Sequence, residues 1–260
     1  MTQGVTQGRA KALLRAPALA GVASLIVLGA GIEALIRLGA INRYVVPLPS
    51  EVWAALPRIV AEENVAGRFL TTAGEAAAAA LLLAAAGIPL GVLLYRRRIL
   101  CAAVESWVGA MAAAPLVLVY PLFLVIFGRN ALTIIAIGFA AGLAPVILNT
   151  LEGLRATRPV LIDVGRSFKL RRSQVFWKIL LPSALPGIFT GLRLGLIFAL
   201  INVVGVEFLI NFGGLGQLIN DLWERYDLPA MYATIGCVIL VSVVFFMGLE
   251  RIERWMRPVT

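Results

Sequence analysis

The stretch that decides the fold is residues 155–182, RATRPVLIDVGRSFKLRRSQVFWKILLP. It lies between two long apolar stretches and is too polar to cross a bilayer. Apolar residues nevertheless recur in it at helical spacing, with charged residues on the remaining faces, which predicts two short amphipathic helices. The repeating positions are Leu161, Val164 and Phe168 in the first helix, and Val175, Ile179 and Leu180 in the second.

The composition predicts that most of the chain lies in a membrane. Of the 260 residues, 60% are hydrophobic and only 14% are charged, far from the averages of soluble domains. Six apolar stretches are long enough to cross a hydrocarbon core as helices. They are approximately Pro17–Leu38, Phe69–Tyr95, Trp107–Phe127, Ala131–Leu148, Pro186–Ile210 and Pro229–Leu249. The first is interpreted as a retained helix and not as a signal peptide, because no clear cleavage site follows it.

The distribution of lysine and arginine predicts the orientation of these six helices. Cytoplasmic flanks of membrane helices retain such residues, whereas short translocated loops are poor in them. Most cations fall near the two ends of the chain, in the triplet Arg96–Arg98 and in residues 155–182, so these segments and both termini are expected in the cytoplasm. The expected organisation is a cytoplasmic N-terminal segment (1–16), a transmembrane domain (17–250) that includes the loop 155–182, and a cytoplasmic tail (251–260).

The residue inventory excludes several kinds of function. The chain has no histidine, which excludes histidine-ligated metals and Ser-His-Asp triads. A net charge of +9 does not predict nucleic-acid binding here, because the cations are spread over separate loops. Cys101 and Cys237 lack metal or redox spacing and are interpreted as small buried hydrophobes. No lysine belongs to a P-loop, so an ATP-driven role would need a separate subunit, and no bound cofactor, metal or catalytic residue is predicted.

Several blocks of sequence resemble one family in the same order along the chain. Asp163–Lys169, followed by Ile179–Pro182 and Thr190–Arg193, resembles the EAA loop of bacterial ABC importer permeases. Val46–Trp53 is similar to the segment after the first helix in the sulfonate, nitrate and taurine branch of that family. The other similar blocks are Gly87–Gly91, Pro115 with Pro121 and Leu122, Asn149–Arg155, Val203 and Val204 with Glu207, and Gly213–Gly216.

The resemblance implies a type I ABC importer permease fold: an all-α membrane protein of six transmembrane helices with a short cytoplasmic coupling helix between the fourth and fifth. Such a permease is non-catalytic, lies in the bacterial inner membrane and forms half of the pathway for a small solute, here expected to be an anion such as a sulfonate, taurine or nitrate. The implied partners are a cytoplasmic ABC ATPase dimer that uses ATP and Mg²⁺, a second permease copy or a paired non-identical permease, and an extracytoplasmic substrate-binding protein. A secondary transporter or channel without ATP coupling is the alternative.

The resemblance also implies which residues dock on the ATPase. Asp163 would begin the coupling helix, where a carboxylate complements the helix dipole, and Val164, Gly165 and Phe168 would form the docking surface, with Phe168 as its anchor. The alternative is an amphipathic helix that lies on the bilayer, with Arg171 and Arg172 facing anionic lipids. The implied docking residues are Asp163, Val164, Gly165, Arg166, Ser167, Phe168, Lys169 and Leu170, and the lipid-facing pair is Arg171 and Arg172.

Two residues depart from the pattern of the family, and one of them is Gly165, where an alanine would be typical. Lys169 stands where the family's loop has a glycine, and a lysine adopts left-handed geometry only at a cost of about 1 kcal/mol. The turn after the coupling helix is therefore expected to differ, or the ATPase pocket to be acidic. One hypothesis is that the chain works with a non-identical permease.

Polar residues and prolines inside the predicted spans are candidates for the translocation pathway, because both are costly in a bilayer. Glu75 stands where this branch of the family commonly has an arginine, and snorkelling to the outer interface is its alternative interpretation. Two prolines predict a kinked third span. Asn202 and Glu207 do not lie on exactly one helix face, and the alternative interpretation of Glu207 is a structural ion pair or hydrogen-bond partner instead of a gate. The candidates are Glu75, Pro115, Pro121, Asn149, Asn202 and Glu207.

Two glycine patterns predict local features of the fold. Gly138 and Gly142 have GxxxG spacing, which predicts close helix packing more than dimerisation. The outer loop Asn211–Asp227, with its Phe-Gly-Gly-Leu-Gly sequence, is expected to form a re-entrant turn or a platform for a binding protein.

Overall fold

The computed structural model describes residues 20, 21 and 23–256, which form helices and turns and include no strand. The helices are α1 (23–37), α2 (Pro49–Glu62), α3 (Val65–Leu82), α4 (Ile88–Arg96), α5 (Arg98–Ala113), α6 (Tyr120–Phe127), α7 (Ala131–Arg155), α8 (Pro159–Ser167), α9 (Arg172–Val175), α10 (Leu181–Ile210), α11 (Leu215–Glu224) and α12 (Leu228–Met256). A 3₁₀ turn, Leu116–Val119, precedes α6. The chain divides into two compact units.

The first unit comprises the described residues up to Glu63 together with Leu222–Ala233. Its core is small, with Ile36, Ala55 and Ile59 buried. Ion pairs supplement that core: Arg225 pairs with Glu63 at 2.7 Å, and Arg58 pairs with Asp227. The amphipathic α2 thus belongs to a unit that relies on polar contacts as well as on apolar burial.

The second unit comprises Asn64–Asp221 and the described residues from Thr234 onward, and α7 and α10 form its centre. These two helices make the most extensive pairwise contact in the unit, and α3, α4 and α5 pack against α7. The core residues come from both central helices, for example Ile137 and Val146 on α7 and Ala199 and Val203 on α10. Because α7 is buried on most of its faces, its apolar sequence shows little amphipathicity.

Glycines allow the two central helices to approach closely. A Cβ atom added at Gly142 would collide with the carbonyl oxygen of Gly195 and lie 2.6 Å from Cδ1 of Leu83. A Cβ atom added at Gly187 would lie 2.8 Å from the Cα atom of Gly153. Small residues let helix backbones pack directly on each other, so the GxxxG spacing in α7 does reflect packing within the chain.

Two π-helical turns interrupt the long helices, and a proline follows each. Leu83–Gly87 joins α3 to α4 just before Pro89, and Phe176–Leu180 joins α9 to α10 just before Pro182. A proline has no N–H to donate and crowds the carbonyl one turn earlier, which favours a local widening of the helix. The predicted second amphipathic helix of the loop is therefore the beginning of the long α10 segment.

Four continuous helical segments of the described chain are long and apolar enough to cross a membrane. They are Val65–Arg96, Ala131–Arg155, Arg172–Ile210 and Leu228–Trp255, and they contain the predicted second, fourth, fifth and sixth spans. The predicted first span, Pro17–Leu38, begins in residues outside the described part, although 23–37 are helical.

The third predicted span is broken more sharply than expected. Helix α5 and the segment Leu116–Phe127 together pass the length and apolarity test, but they meet at an angle of 91°. Pro115 caps the 3₁₀ turn at this break, with ψ 78°. Pro121 does not interrupt a helix, because it lies in the first turn of α6, where no N–H partner is required.

Candidate functional site

The candidate docking site is built on α8, a nine-residue helix between the two central helices. Pro159 occupies its first turn, and Arg158 is the N-cap. Asp163 therefore lies in the middle of the helix. The resemblance had implied that Asp163 begins the helix, and this expectation is wrong. Its carboxylate accepts a hydrogen bond from Nη1 of Arg166 at 3.1 Å. Since both side chains are largely exposed, this pair contributes little to stability.

One face of α8 is apolar and exposed. Val160 is 61% exposed, Val164 47% and Phe168 76%, and Leu161 lies beside them. These residues are four apart or adjacent, so they form one stripe along the helix. Uncovered aromatic and branched side chains on a short helix are typical of an interaction surface.

Gly165 lies on a buried side of α8. A Cβ atom added there would lie 2.7 Å from Cδ1 of Ile179 and 3.5 Å from Cγ2 of Val175. The glycine thus fits the helix onto the start of the α10 segment and is not available on the exposed stripe. The alanine that is typical at this position would require only the end of the Ile179 side chain to move.

The turn after α8 has ordinary geometry despite its lysine. Lys169 has φ 53°, its N–H donates to the carbonyl of Arg166 at 2.8 Å, and the N–H of Leu170 donates to the carbonyl of Gly165 at 3.0 Å. These two bonds define a Schellman motif, which normally has glycine at the left-handed position. The expectation that this turn would differ is therefore wrong, because two backbone hydrogen bonds hold the lysine in the geometry of a glycine.

The other implied docking residues surround this turn. The hydroxyl of Ser167 donates to the carbonyl of Asp163 at 3.1 Å, and Arg166 and Lys169 are exposed. Leu170 is partly buried and packs towards Gly165. The segment 163–170 thus presents Val164 and Phe168 outward and anchors itself through Gly165 and Leu170.

Two of the pathway candidates meet in a buried polar cluster. Glu207 on α10 is fully buried, and Glu75 on α3 is only 4% exposed, so Glu75 does not snorkel to a surface. The two carboxyl groups adjoin each other. Within the described residues, neither oxygen of Glu75 has a hydrogen-bond donor.

The glycine-rich loop closes over this cluster. The hydroxyl of Thr72 donates to Glu207, with Oγ1 2.8 Å from Oε1, and it accepts the N–H of Leu215 at 2.8 Å. The N–H of Gly216 donates to Oε2 of Glu207 at 2.7 Å. A side chain at Gly214 would overlap both Thr72 and Glu207. The loop and α11 are therefore tied to the interior through Glu207, as the structural interpretation of this residue expected.

Thr72 was not identified from the sequence. It lies three residues before Glu75, so the two side chains share one face of α3. A search for polar residues one turn from Glu75 would have found it.

The remaining pathway candidates do not join this cluster. Asn149 donates from Nδ2 to the carbonyl of Pro145 at 2.9 Å, and Asn202 donates to the carbonyl of Phe198 at 2.8 Å. Each bond runs back to the preceding turn of the same helix. Pro115 and Pro121 are exposed at the break before α6.

The fold is similar to that of a solved transporter subunit. A chain of the MetNI methionine ABC transporter, in an inward-facing conformation, superposes with a TM-score of 0.63 at 20% identity, over 75% of this chain and 96% of that chain.

Relatives of known name match part of the sequence. The taurine transport system permease protein of Escherichia coli (strain K12) is 27% identical over 172 residues, 66% of this chain and 62% of that protein. The nitrate import permease protein of Synechocystis sp. is 30% identical over 161 residues, 62% of this chain and 58% of that protein. The matched part thus spans less than two thirds of either relative.

A family model matches residues 84–258, which include α8, the broken span and both central helices. The family consists of inner-membrane transport components, in agreement with the several apolar helices. The chain belongs to the family of binding-protein-dependent transport system inner membrane components.

Proposed function

We propose that this chain is the permease subunit of an ATP-driven importer and that α8 is its coupling helix. The observation that carries the proposal is the exposed stripe ending in Phe168, which is 76% exposed on a short helix between the two central helices. A docked ATPase would cover this stripe. Movement of α8 would reach the π turn that leads into α10, because Gly165 packs against Ile179 in that turn. Interfaces commonly depend on one such aromatic anchor.

The proposed assembly contains two permeases, which are two copies of this chain or this chain with a non-identical partner. Two ATPases bind and hydrolyse ATP with Mg²⁺, and an extracytoplasmic binding protein delivers the solute. Each permease has six spans with both termini and α8 in the cytoplasm. The solute is a small anion such as a sulfonate, taurine or nitrate, by analogy with the relatives named for taurine and nitrate.

Substitution of Phe168 tests the coupling role. Phe168→Ser is expected to weaken co-purification of the candidate ATPase by about 30-fold, because an anchor residue contributes about 2 kcal/mol or more. ATP-driven uptake in proteoliposomes should fall in parallel. Tyr44→Ser is the matched control, since Tyr44 is 90% exposed and lies outside α8.

Two outcomes would contradict the proposal. Equal ATPase binding by Phe168→Ser and Tyr44→Ser would remove the docking role of the stripe. Solute flux that needs no ATP, and that Phe168→Ser leaves unchanged, would instead favour a secondary transporter or channel.

A further inference from the structure

The end of the second unit that carries α8 has a cavity of about 840 Å³ in which arginine predominates among the charged lining residues. Its arginines come from five different helices, and Glu105 is the carboxylate among the lining residues. The arginines are Arg96 on α4, Arg98 on α5, Arg155 on α7, Arg166 on α8 and Arg172 on α9. None of these helices alone supplies more than one arginine, so the tertiary fold assembles the cavity.

Two of the five arginines pair with carboxylates, Arg155 with Glu105 and Arg166 with Asp163, and the described residues give the other three no ion pair. The carboxylate of Glu105 accepts two hydrogen bonds from the guanidinium of Arg155, at 2.7 and 2.9 Å. Within the part of the chain that the structure describes, neither Arg98 nor Arg172 forms an ion pair. The guanidinium of Arg96 lies over the ring of Phe176, 4.3 Å from its centroid. The cavity is therefore suited to an anion with several oxygen atoms.

An apolar groove of about 820 Å³ continues from the cavity. The two share Tyr95, Arg96 and Arg98. Beyond these residues the groove is lined by Arg97 and by four apolar residues, among them Ile99, which is 89% exposed. A charged cavity that opens into an apolar groove at the end of membrane helices matches a ligand with an anionic head and a hydrocarbon tail.

We propose that the cavity and groove together bind one anionic phospholipid. Its phosphate group contacts Arg98 and Arg172, and an acyl chain follows the groove over Ile99. Basic pockets at the ends of membrane helices bind anionic headgroups through such contacts. A soluble phosphate compound would use the cavity alone, and the shared apolar groove is what favours the lipid. Arg172 lies three residues after Lys169, close to the end of α8 in the chain. A lipid bound to Arg172 and Arg98 would therefore hold α8 near α5.

Lipid binding to the purified full chain in detergent tests the proposal. Native mass spectrometry would measure the affinities of phosphatidylglycerol, phosphatidylcholine and soluble glycerol phosphate. The test variant is Arg98→Gln with Arg172→Gln. The matched control is Arg158→Gln with Arg171→Gln, which removes the same charge from exposed positions of the same region that do not line the cavity.

The full chain is expected to bind one phosphatidylglycerol tightly. The test variant should weaken this binding about tenfold or more, and the control variant should leave it nearly unchanged. Phosphatidylcholine should bind more weakly than phosphatidylglycerol. Equal weakening by both variants would overturn the proposal in favour of diffuse attraction, as for a helix that lies on the bilayer through Arg171. Glycerol phosphate that binds as tightly as the lipid and displaces it would overturn it in favour of a soluble phosphate ligand.

Discussion

At the scale of single residues, Lys169 shows how backbone hydrogen bonds overrule a local preference. The two bonds of the Schellman motif hold this lysine at φ 53°, where a side chain costs about 1 kcal/mol relative to glycine. The exposed lysine side chain is therefore retained at some expense in helix stability. In the proposed assembly Lys169 lies next to Phe168. An ionic contact between its side chain and an acidic ATPase surface would offset this loss of stability.

Replacing Lys169 by glycine should stabilise the end of α8. The expected gain is about 1 kcal/mol, because glycine adopts the left-handed geometry without strain. The gain in stability is measured by hydrogen exchange of the backbone amides of residues 165–170. Exchange of these amides should become slower in Lys169→Gly. Lys178→Gly, within the π turn, is the control and should accelerate local exchange. Faster exchange in Lys169→Gly would mean that the lysine side chain stabilises the turn.

The two buried glutamates are expected to respond in opposite directions to loss of charge. Glu75→Gln supplies an amide donor to Glu207 and should raise the free energy of unfolding by about 1 kcal/mol. Glu207→Gln weakens the acceptor of the Thr72 hydroxyl and the Gly216 N–H and should lower it by about 1–3 kcal/mol. Thermal unfolding in detergent measures both. A comparable loss in the two variants would show that Glu75 is as strongly bonded as Glu207.

At the scale of helices, the contact between α7 and α10 is the main determinant of the second unit. Gly142→Ala should destabilise the protein by about 1–3 kcal/mol, because the new methyl group would collide with the backbone of Gly195, which cannot rotate away. Gly236→Ala is the control, since nothing lies within 4 Å of a Cβ atom there, and it should be neutral or slightly stabilising. Thermal unfolding separates the two, and an equal effect would place the close contact elsewhere.

The same scale shows what periodicity does and does not predict. The exposed stripe of α8 was recognisable because its apolar residues recur against charged neighbours. The break of 91° before α6 was predicted only as a kink, since Pro115 indicates a missing hydrogen bond but not the direction that the chain takes afterwards. Likewise, Pro182 permits a continuous helix by way of a π turn, so the second short helix of the loop merges into α10.

At the scale of the whole molecule, the proposed orientation follows from arginine and lysine alone and is open to a direct test. Helix α7 separates Arg129 from α8 by about 37 Å, at 1.5 Å per residue for its 25 residues. In a background without Cys101 and Cys237, Ser167→Cys should react with a membrane-impermeant maleimide only in inverted vesicles. Arg129→Cys should react only in intact cells. Labelling of Ser167→Cys in intact cells would place α8 outside.

The sequence by itself determined the membrane setting, the exposed stripe of α8 and the family, because each depends on residues that are near one another along the chain. Only the tertiary structure decided that Gly165 faces inward, that Thr72 joins Glu75 and Glu207, and that arginines of separate helices share one cavity. The physical reason is that these contacts join residues far apart in sequence, such as Thr72 and Glu207. Their proximity depends on how closely α3, α7 and α10 pack, which no local pattern specifies.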